Sequence, residues 1–254
     1  MQTRPPLLIA LPYAVYATTV FTVISLVTLV LLLVLPSLHA RRRLAHAAAR
    51  FALALMGMRL RLLHPERLPT GPCVVVANHA SYLDGVVLKA ALPPRFGFVI
   101  KREMNTVPLA NLLLRRIGSE FVERARTGRG ARDARRLLKQ ARSDVSLAFF
   151  PEGTFGEVPG LLPFHAGAFV FAHRAGVPLV PIALRGTRRA LPPKVLWPWP
   201  MRIDIEVLAP LRPHTEDATA DASVAQLRAA SRAAILARID EPDLADSQPQ
   251  GASD

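Results

Sequence analysis

The chain has 254 residues, enough for one large domain with a real core plus an appendage. Its 32 basic and 19 acidic residues leave a net charge of +13, which points to an anionic partner. One cysteine, Cys73, excludes an internal disulfide, and 6% aromatics with no zinc-finger or other base-reading signature argue against a nucleic-acid binder.

Hydrophobic residues make up 51% of the chain and mean hydropathy is +0.26, and much of this excess lies at the front. Residues 5–40 contain no Asp, Glu, Lys or Arg, and 13–35 are almost wholly apolar. A helix needs ~20 such residues to cross the hydrocarbon core. A signal peptide has a shorter apolar region of ~7–15 residues, and Leu38-His39-Ala40 is a poor cleavage site. Residues 1–40 are therefore expected to form a retained transmembrane or membrane-inserted helix. Arg41, Arg42, Arg43 and Arg50 follow it, whereas only Arg4 precedes it. The positive-inside rule then places the rest of the chain on the cytoplasmic side of the inner membrane, with a re-entrant insertion left open. The next segment, 41–64, reads as a basic helix, running over 44–63 with Arg50, Arg59 and Arg61. It either lies on an anionic bilayer surface or packs on the domain.

Residues 65–72 are rich in turn formers and open the main domain, expected over 65–240. Apolar, β-branched runs predict strands over 73–77, 96–100, 146–150, 179–184 and 203–208. Helical patterns fall at 83–91, 108–117, 131–141, 166–175 and 222–239. This alternation predicts an α/β fold with a largely parallel central sheet flanked by helices, and sites form at the carboxyl ends of strands in such folds. Pro192, Pro193, Pro198 and Pro200, interleaved with Trp197 and Trp199, read as a stiff loop. The acidic, polar stretch 241–254 reads as a disordered tail.

The chemistry centres on Asn78-His79-Ala80-Ser81-Tyr82-Leu83-Asp84-Gly85, between a buried strand and a helix. His79 and Asp84 are too far apart in sequence for one face of a continuous helix. They meet if His79 sits on the turn and Asp84 in the first helical turn. The carboxylate then orients the imidazole, whose other nitrogen is left to take a proton from a hydroxyl. Ser81 is the only neighbour resembling a covalent nucleophile. Ser81 and Asp84 also have the spacing of a capping box, so Asp84 serves a helix end, a histidine, or both. Three more segments gather candidates. Gly118 to Arg124 ends in an arginine able to hold a phosphate in a bidentate pair. Phe150-Pro151-Glu152-Gly153-Thr154 closes a buried strand in a tight turn that can offer N–H groups to an anion. Val177-Pro178-Leu179-Val180-Pro181-Ile182 reads as a Pro-punctuated strand. There is no Walker loop, dinucleotide fingerprint or metal-ligand spacing, and His39, His46, His64, His165, His173 and His214 lack companions, so no metal or cofactor is expected.

Together these blocks resemble the glycerolipid acyltransferase family, which includes the 1-acylglycerol-3-phosphate (lysophosphatidate) acyltransferases. The family's Asn-His-x4-Asp block is similar to Asn78, His79 and Asp84. Its second block resembles Lys101-Arg102-Glu103-Met104 with Pro108, Gly118, Phe121 and Arg124. Its Phe-Pro-Glu-Gly-Thr block stands unchanged at Phe150 to Thr154, and its Val-Pro-x-x-Pro block resembles Val177, Pro178 and Pro181. The order and spacing match across roughly residues 73–185. The resemblance implies a glycerol-3-phosphate-acyltransferase-like fold and a membrane-bound O-acyltransferase. His79 would be the general base on a lysophospholipid hydroxyl and Asp84 its orienting acid. Arg124, Glu152, Gly153 and Thr154 would bind the glycerol-phosphate part of the acceptor, with Asn78, Lys101 and Pro181 in the same substrate-binding set. The donor would be acyl-CoA or acyl-ACP as co-substrate, and the acceptor 1-acylglycerol-3-phosphate, giving phosphatidic acid. Glycerol-3-phosphate, a lyso-ornithine lipid or another lysophospholipid are the alternative acceptors, and a non-catalytic lipid-binding membrane module is the alternative role. The chain departs from the family at Phe155, where many members carry arginine, and Arg185 is the residue that would compensate.

Overall fold

The computed structural model describes residues 7–101, 108–122, 146–195, 197–213 and 219–245. Its strands are β1 (Arg59–Leu63), β2 (Val74–Ala77), β3 (Phe96–Lys101), β4 (Glu120–Val122), β5 (Ser146–Phe149), β6 (Leu179–Arg185) and β7 (Arg202–Val207). They form a seven-stranded sheet in the order β1-β7-β6-β2-β5-β3-β4. Every neighbouring pair is parallel except β6 with β7, so the expected largely parallel α/β sheet is what the chain forms. The helices are α1 (Leu7–Val34), α2 (Leu38–Leu55), α3 (Asp84–Ala91), α4 (Pro108–Arg116), α5 (Gly167–Ala175), α6 (Thr187–Ala190) and α7 (Ala220–Leu236). The helix expected over 131–141 lies outside the described residues.

The three inner strands β2, β5 and β6 are apolar runs because helices cover both faces of the sheet. Alternation along β2 divides the core. Val75 and Ala77 face α2 and α3 with Leu53, Val87, Leu88, Phe96 and Ile205. Val74 and Val76 face α5 and α7 with Leu147, Phe149, Phe169, Leu227 and Ile235.

Two expectations are corrected. The basic helix expected to run to residue 63 stops at Leu55, and Gly57, with φ +68, turns the chain. Residues 59–63 then form β1, parallel to β7 in the register Arg59↔Arg202 to Leu63↔Glu206. The arginines that open α2 dock it to the domain. Arg42 donates to the carbonyls of Ile117 (3.1 Å), Arg95 (3.0 Å) and Gly118 (3.3 Å), and Arg41 to that of Arg116 (3.0 Å). A fixed cation here satisfies carbonyls left over at a helix end. Finally, residues 241–245, assigned to the disordered tail, are ordered against the loop after β5. The N–H of Leu161 donates to Pro242 O (2.9 Å) and that of Leu244 to Leu161 O (3.1 Å). Composition predicts disorder only where no partner waits, and here one does.

Helix α1 is tied to the domain near both ends. The Tyr13 hydroxyl donates to Met56 O (2.6 Å) and its ring meets Trp199 edge-on at 5.0 Å. At the other end Arg116 donates to Leu32 O (2.7 Å) and Leu33 O (2.6 Å). Ala17 and Leu32 are wholly buried, while Val15, Val23, Val27, Val30 and Val34 stand exposed. One stripe of α1 therefore packs along the protein and the opposite stripe leaves a long apolar surface uncovered.

Candidate active site

Two turns meet at one edge of the sheet. The parallel register Val76↔Phe149 sets the end of β2 beside the end of β5, so Asn78–Gly85 and Phe150–Thr154 become neighbours. Val76↔Pro181 brings β6 to the other side.

Within the first turn, Asp84 opens α3 and turns back. Its Oδ2 accepts from His79 Nδ1 (2.8 Å), Ala80 N (2.6 Å) and Ser81 N (2.8 Å). Asp84 is 0% exposed and the His79 side chain 19%, so the acid is sealed behind a base that still reaches the surface. With Nδ1–H donating to the carboxylate, Nε2 keeps the lone pair, and a base is aimed outward. Only half of the capping box forms: the oxygen that meets His79 also accepts from the Ser81 N–H, while α3 starts at Asp84 with no side-chain cap. Ser81 is removed as a nucleophile. Wholly buried, its hydroxyl donates to Leu191 O (2.7 Å) and accepts from Leu83 N (3.1 Å).

The other expected residues separate into two groups. Asn78, expected at the substrate, uses both ends of its amide on one backbone unit of β6. Its Nδ2 donates to Leu184 O (3.0 Å) and its Oδ1 accepts from Leu184 N (2.7 Å). It braces β2 to β6 at the moment the chain turns toward His79. Glu152 does the same between loops. Its Oε1 accepts from the N–H of His79 (2.6 Å) and its Oε2 from that of Leu162 (2.8 Å). Burial pushes its carboxyl up to about 8, against the pull of those two N–H donors. Pro181 lies inside β6, where its carbonyl accepts from Leu208 N (2.9 Å). In a strand the N–H and C=O of one residue point the same way. The missing N–H therefore faces the end of β7, and no bond to β2 is lost. These three residues hold the site's frame and their polar groups are spent on the backbone. Gly153 takes a positive φ of +74 in the tight turn, which a side chain would strain, and Thr154 is exposed beside it. Arg124 and the side chain of Lys101 lie outside the described residues.

The residues that reading by motif missed are aromatic. The Phe150 ring stacks on His79 at 4.3 Å between centroids. Phe155 meets His79 edge-on at 4.5 Å and Tyr82 at 4.8 Å. His79 thus stands between two phenyl rings, with Tyr82, 63% exposed, against the Phe155 ring. The signal was in the sequence as aromatics flanking each block, but nothing local says that they converge. Arg185, the suggested substitute for an arginine at 155, is committed elsewhere. It pairs with Glu206 (2.9 Å) and donates to Arg238 O (2.6 Å).

A histidine held by a buried carboxylate and walled by apolar rings, with no covalent nucleophile bonded to it among the described residues, can activate a hydroxyl brought by a substrate. Residues 59–185, half of the chain, match the family model described as Acyltransferase. Mouse 1-acyl-sn-glycerol-3-phosphate acyltransferase alpha is 37% identical over 145 residues, which cover 50% of this chain and 50% of that protein. Human 1-acyl-sn-glycerol-3-phosphate acyltransferase beta is 35% identical over 128 residues, covering 50% and 46%. The chain thus spans about half the length of these curated relatives. The crystal structure of the 1-acyl-sn-glycerophosphate (LPA) acyltransferase PlsC from Thermotoga maritima superposes with a TM-score of 0.72 at 20% identity, covering 91% of this chain and 98% of that one. That likeness establishes the shared fold.

Proposed function

Because the chain belongs to the acyltransferase family, we propose that it moves a fatty acyl group from a thioester to the free hydroxyl of 1-acylglycerol-3-phosphate, making phosphatidic acid. The observation that carries this reading is the His79 Nδ1–Asp84 Oδ2 contact of 2.8 Å, with the rest of the imidazole facing outward. In the proposed step Nε2 takes the hydroxyl proton as its oxygen attacks the thioester carbonyl. The new C–O bond forms, the C–S bond breaks, and the imidazolium returns its proton to the departing thiolate. Asp84 stabilises the imidazolium between those events. Acyl-CoA and acyl-ACP serve equally as donors in this scheme.

The uncovered stripe of α1 supports a membrane-associated enzyme, and its ties at Tyr13 and Leu32 favour a helix lying along one leaflet over one crossing the bilayer. Tyr82, exposed against the Phe155 ring beside His79, suits entry of a lipid acceptor. The catalytic domain then works on the cytoplasmic face.

A second acceptor class is favoured by one observation. Phe155 presents a ring to His79 where a cation would meet a phosphate, and Arg185 is already paired. This leaves room for a lyso-ornithine lipid or another lysophospholipid. The test is to incubate the purified protein with mixed lyso-lipids, glycerol-3-phosphate, acyl-CoA and acyl-ACP, and to identify products by mass spectrometry. Phosphatidic acid from wild type and none from His79→Ala supports the proposal; absence of every acylated product from wild type refutes it in favour of a lipid-binding role.

A further inference from the structure

The loop that follows Phe150–Thr154 reaches His79 in two ways, once directly and once through Glu152. At its start the Phe155 ring lies against His79, and at its end the Leu162 N–H holds Glu152, whose other oxygen holds the His79 N–H. Between those points its conformation is set from far along the chain. Glu241 Oε2 accepts from Gly160 N (2.8 Å), and its Oε1 pairs with Arg188 Nε (2.8 Å). Arg188 Nη1 in turn donates to Gly156 O (2.7 Å), so one carboxylate gathers both ends of the loop. Beyond it, Asp243 bridges Leu161 in a short parallel pair and takes Arg232 Nη1 at 2.9 Å. Arg232 Nη2 also donates to Leu161 O (2.8 Å). Gly160 has φ +149, and a Cβ there would lie 2.4 Å from Leu244 Cγ, so the strap and the loop approach as closely as backbone permits.

We propose that Glu241, acting through Arg188 and the strap 241–244, is a positioning residue for acyl transfer. It touches no reacting atom. It fixes the loop 156–162 so that Phe155 walls the imidazole and Glu152 pins the turn that carries it. Removing the carboxylate takes the shared acceptor from the Gly160 N–H and the Arg188 guanidinium and releases the loop between Phe155, which touches His79, and Leu162, which holds Glu152. Misplacement of a catalytic group by ~1 Å costs on the order of 10²-fold in rate, whereas substrate binding by other parts of the site is largely kept. The inference rests on the acyltransferase reading for its kinetic arm only.

The experiment compares wild type, Glu241→Ala, Glu241→Gln and Arg188→Gln by steady-state kinetics, thermal melting and hydrogen exchange. For Glu241→Ala the expected result is a fall in kcat of about 10-fold or more with KM changed far less. Faster exchange is expected in peptides covering 153–165 and 78–85, with α7 peptides unchanged. Glu241→Gln, which keeps an acceptor for Gly160, should recover most of the rate. Arg188→Gln, which removes the ion pair with Glu241 and the link to Gly156 but leaves the Glu241–Gly160 bond, should show the same pattern more weakly and serves if Glu241→Ala does not fold. Wild-type kcat in both Glu241→Ala and Arg188→Gln, or unchanged exchange over 78–85, overturns the proposal. The exchange measurement needs no turnover. If wild type transfers no acyl group, the functional reading fails while exchange over 78–85 still decides whether the strap positions His79.

Discussion

The turn after β2 and the loop after β5 flank the same histidine but are built by opposite means. The first is drawn together locally: His79, Ala80 and Ser81 all donate, within six residues, to a single carboxylate oxygen of Asp84. The second is assembled from distance. Glu152 reaches across 73 positions to His79, and Glu241 across 81 to Gly160. The contrast teaches that the chemistry of this site is local and its placement is not. A short constellation survives in sequence as a spacing, whereas a long-range brace has no spacing to show.

Breaking the local turn should cost most. His79→Ala is expected to lower kcat by ~10²–10⁴-fold with expression and melting preserved, since the side chain supplies proton transfer and little of the core. Steady-state rates with acyl-CoA and lysophosphatidate check this, and a near-wild-type rate would remove the base assignment. Asp84→Asn keeps an oxygen for the three N–H donors but loses the charge facing the imidazolium. A loss on the order of 10²-fold in kcat is expected, with KM nearly unchanged.

Breaking the distant brace should act on stability as well as rate. In Glu152→Gln the amide NH₂ must face one of two N–H donors, His79 or Leu162, and a buried donor left unpaired costs about 1–3 kcal/mol. Denaturant titration reads this directly. The same residue imposes a pH dependence with a definite sign. Its carboxyl holds a proton up to about 8 in the folded protein but only to its ordinary 4.5 when unfolded. Its contribution to stability is fully present below 4.5, declines as pH rises, and is gone above about 8. The difference in unfolding midpoint between wild type and Glu152→Gln should narrow across that window. A gap that widens with pH would show that the carboxyl is ionised in the fold.

The smallest effect tests the wall between the two regions. Phe155→Arg places a cation beside His79 and should shift preference a few-fold toward acceptors with a free phosphate, seen as the ratio of kcat/KM values between phosphate-bearing and zwitterionic acceptors. An unchanged ratio would mean that the headgroup does not pass this position.

Much of the fold was legible because its signals repeat over short windows. The apolar runs of β2, β3, β5, β6 and β7 were each located within one residue at either end. β1 was missed because Arg59-Leu60-Arg61-Leu62-Leu63 follows an alanine-rich helix without a proline, and only Gly57 marks the break. β4 is three residues long and exists through its pairing with β3. At the site, the motif pointed correctly to the pairing of His79 with Asp84. It grouped Asn78, Glu152 and Pro181 with the substrate, and did not show that their polar groups bond the backbone.

By itself the sequence determined the α/β class, the pairing of His79 with Asp84, and the long apolar N-terminal helix, because each depends on periodicity or on a spacing of a few residues. Only the tertiary structure decided that the polar groups of Asn78 and Glu152 brace the backbone around His79. It also decided that α1 lies along the domain and that residues 241–244 clamp the loop beside His79. Those outcomes turn on which distant backbone N–H and C=O groups lack partners after the strands have paired, and no local window of residues records that.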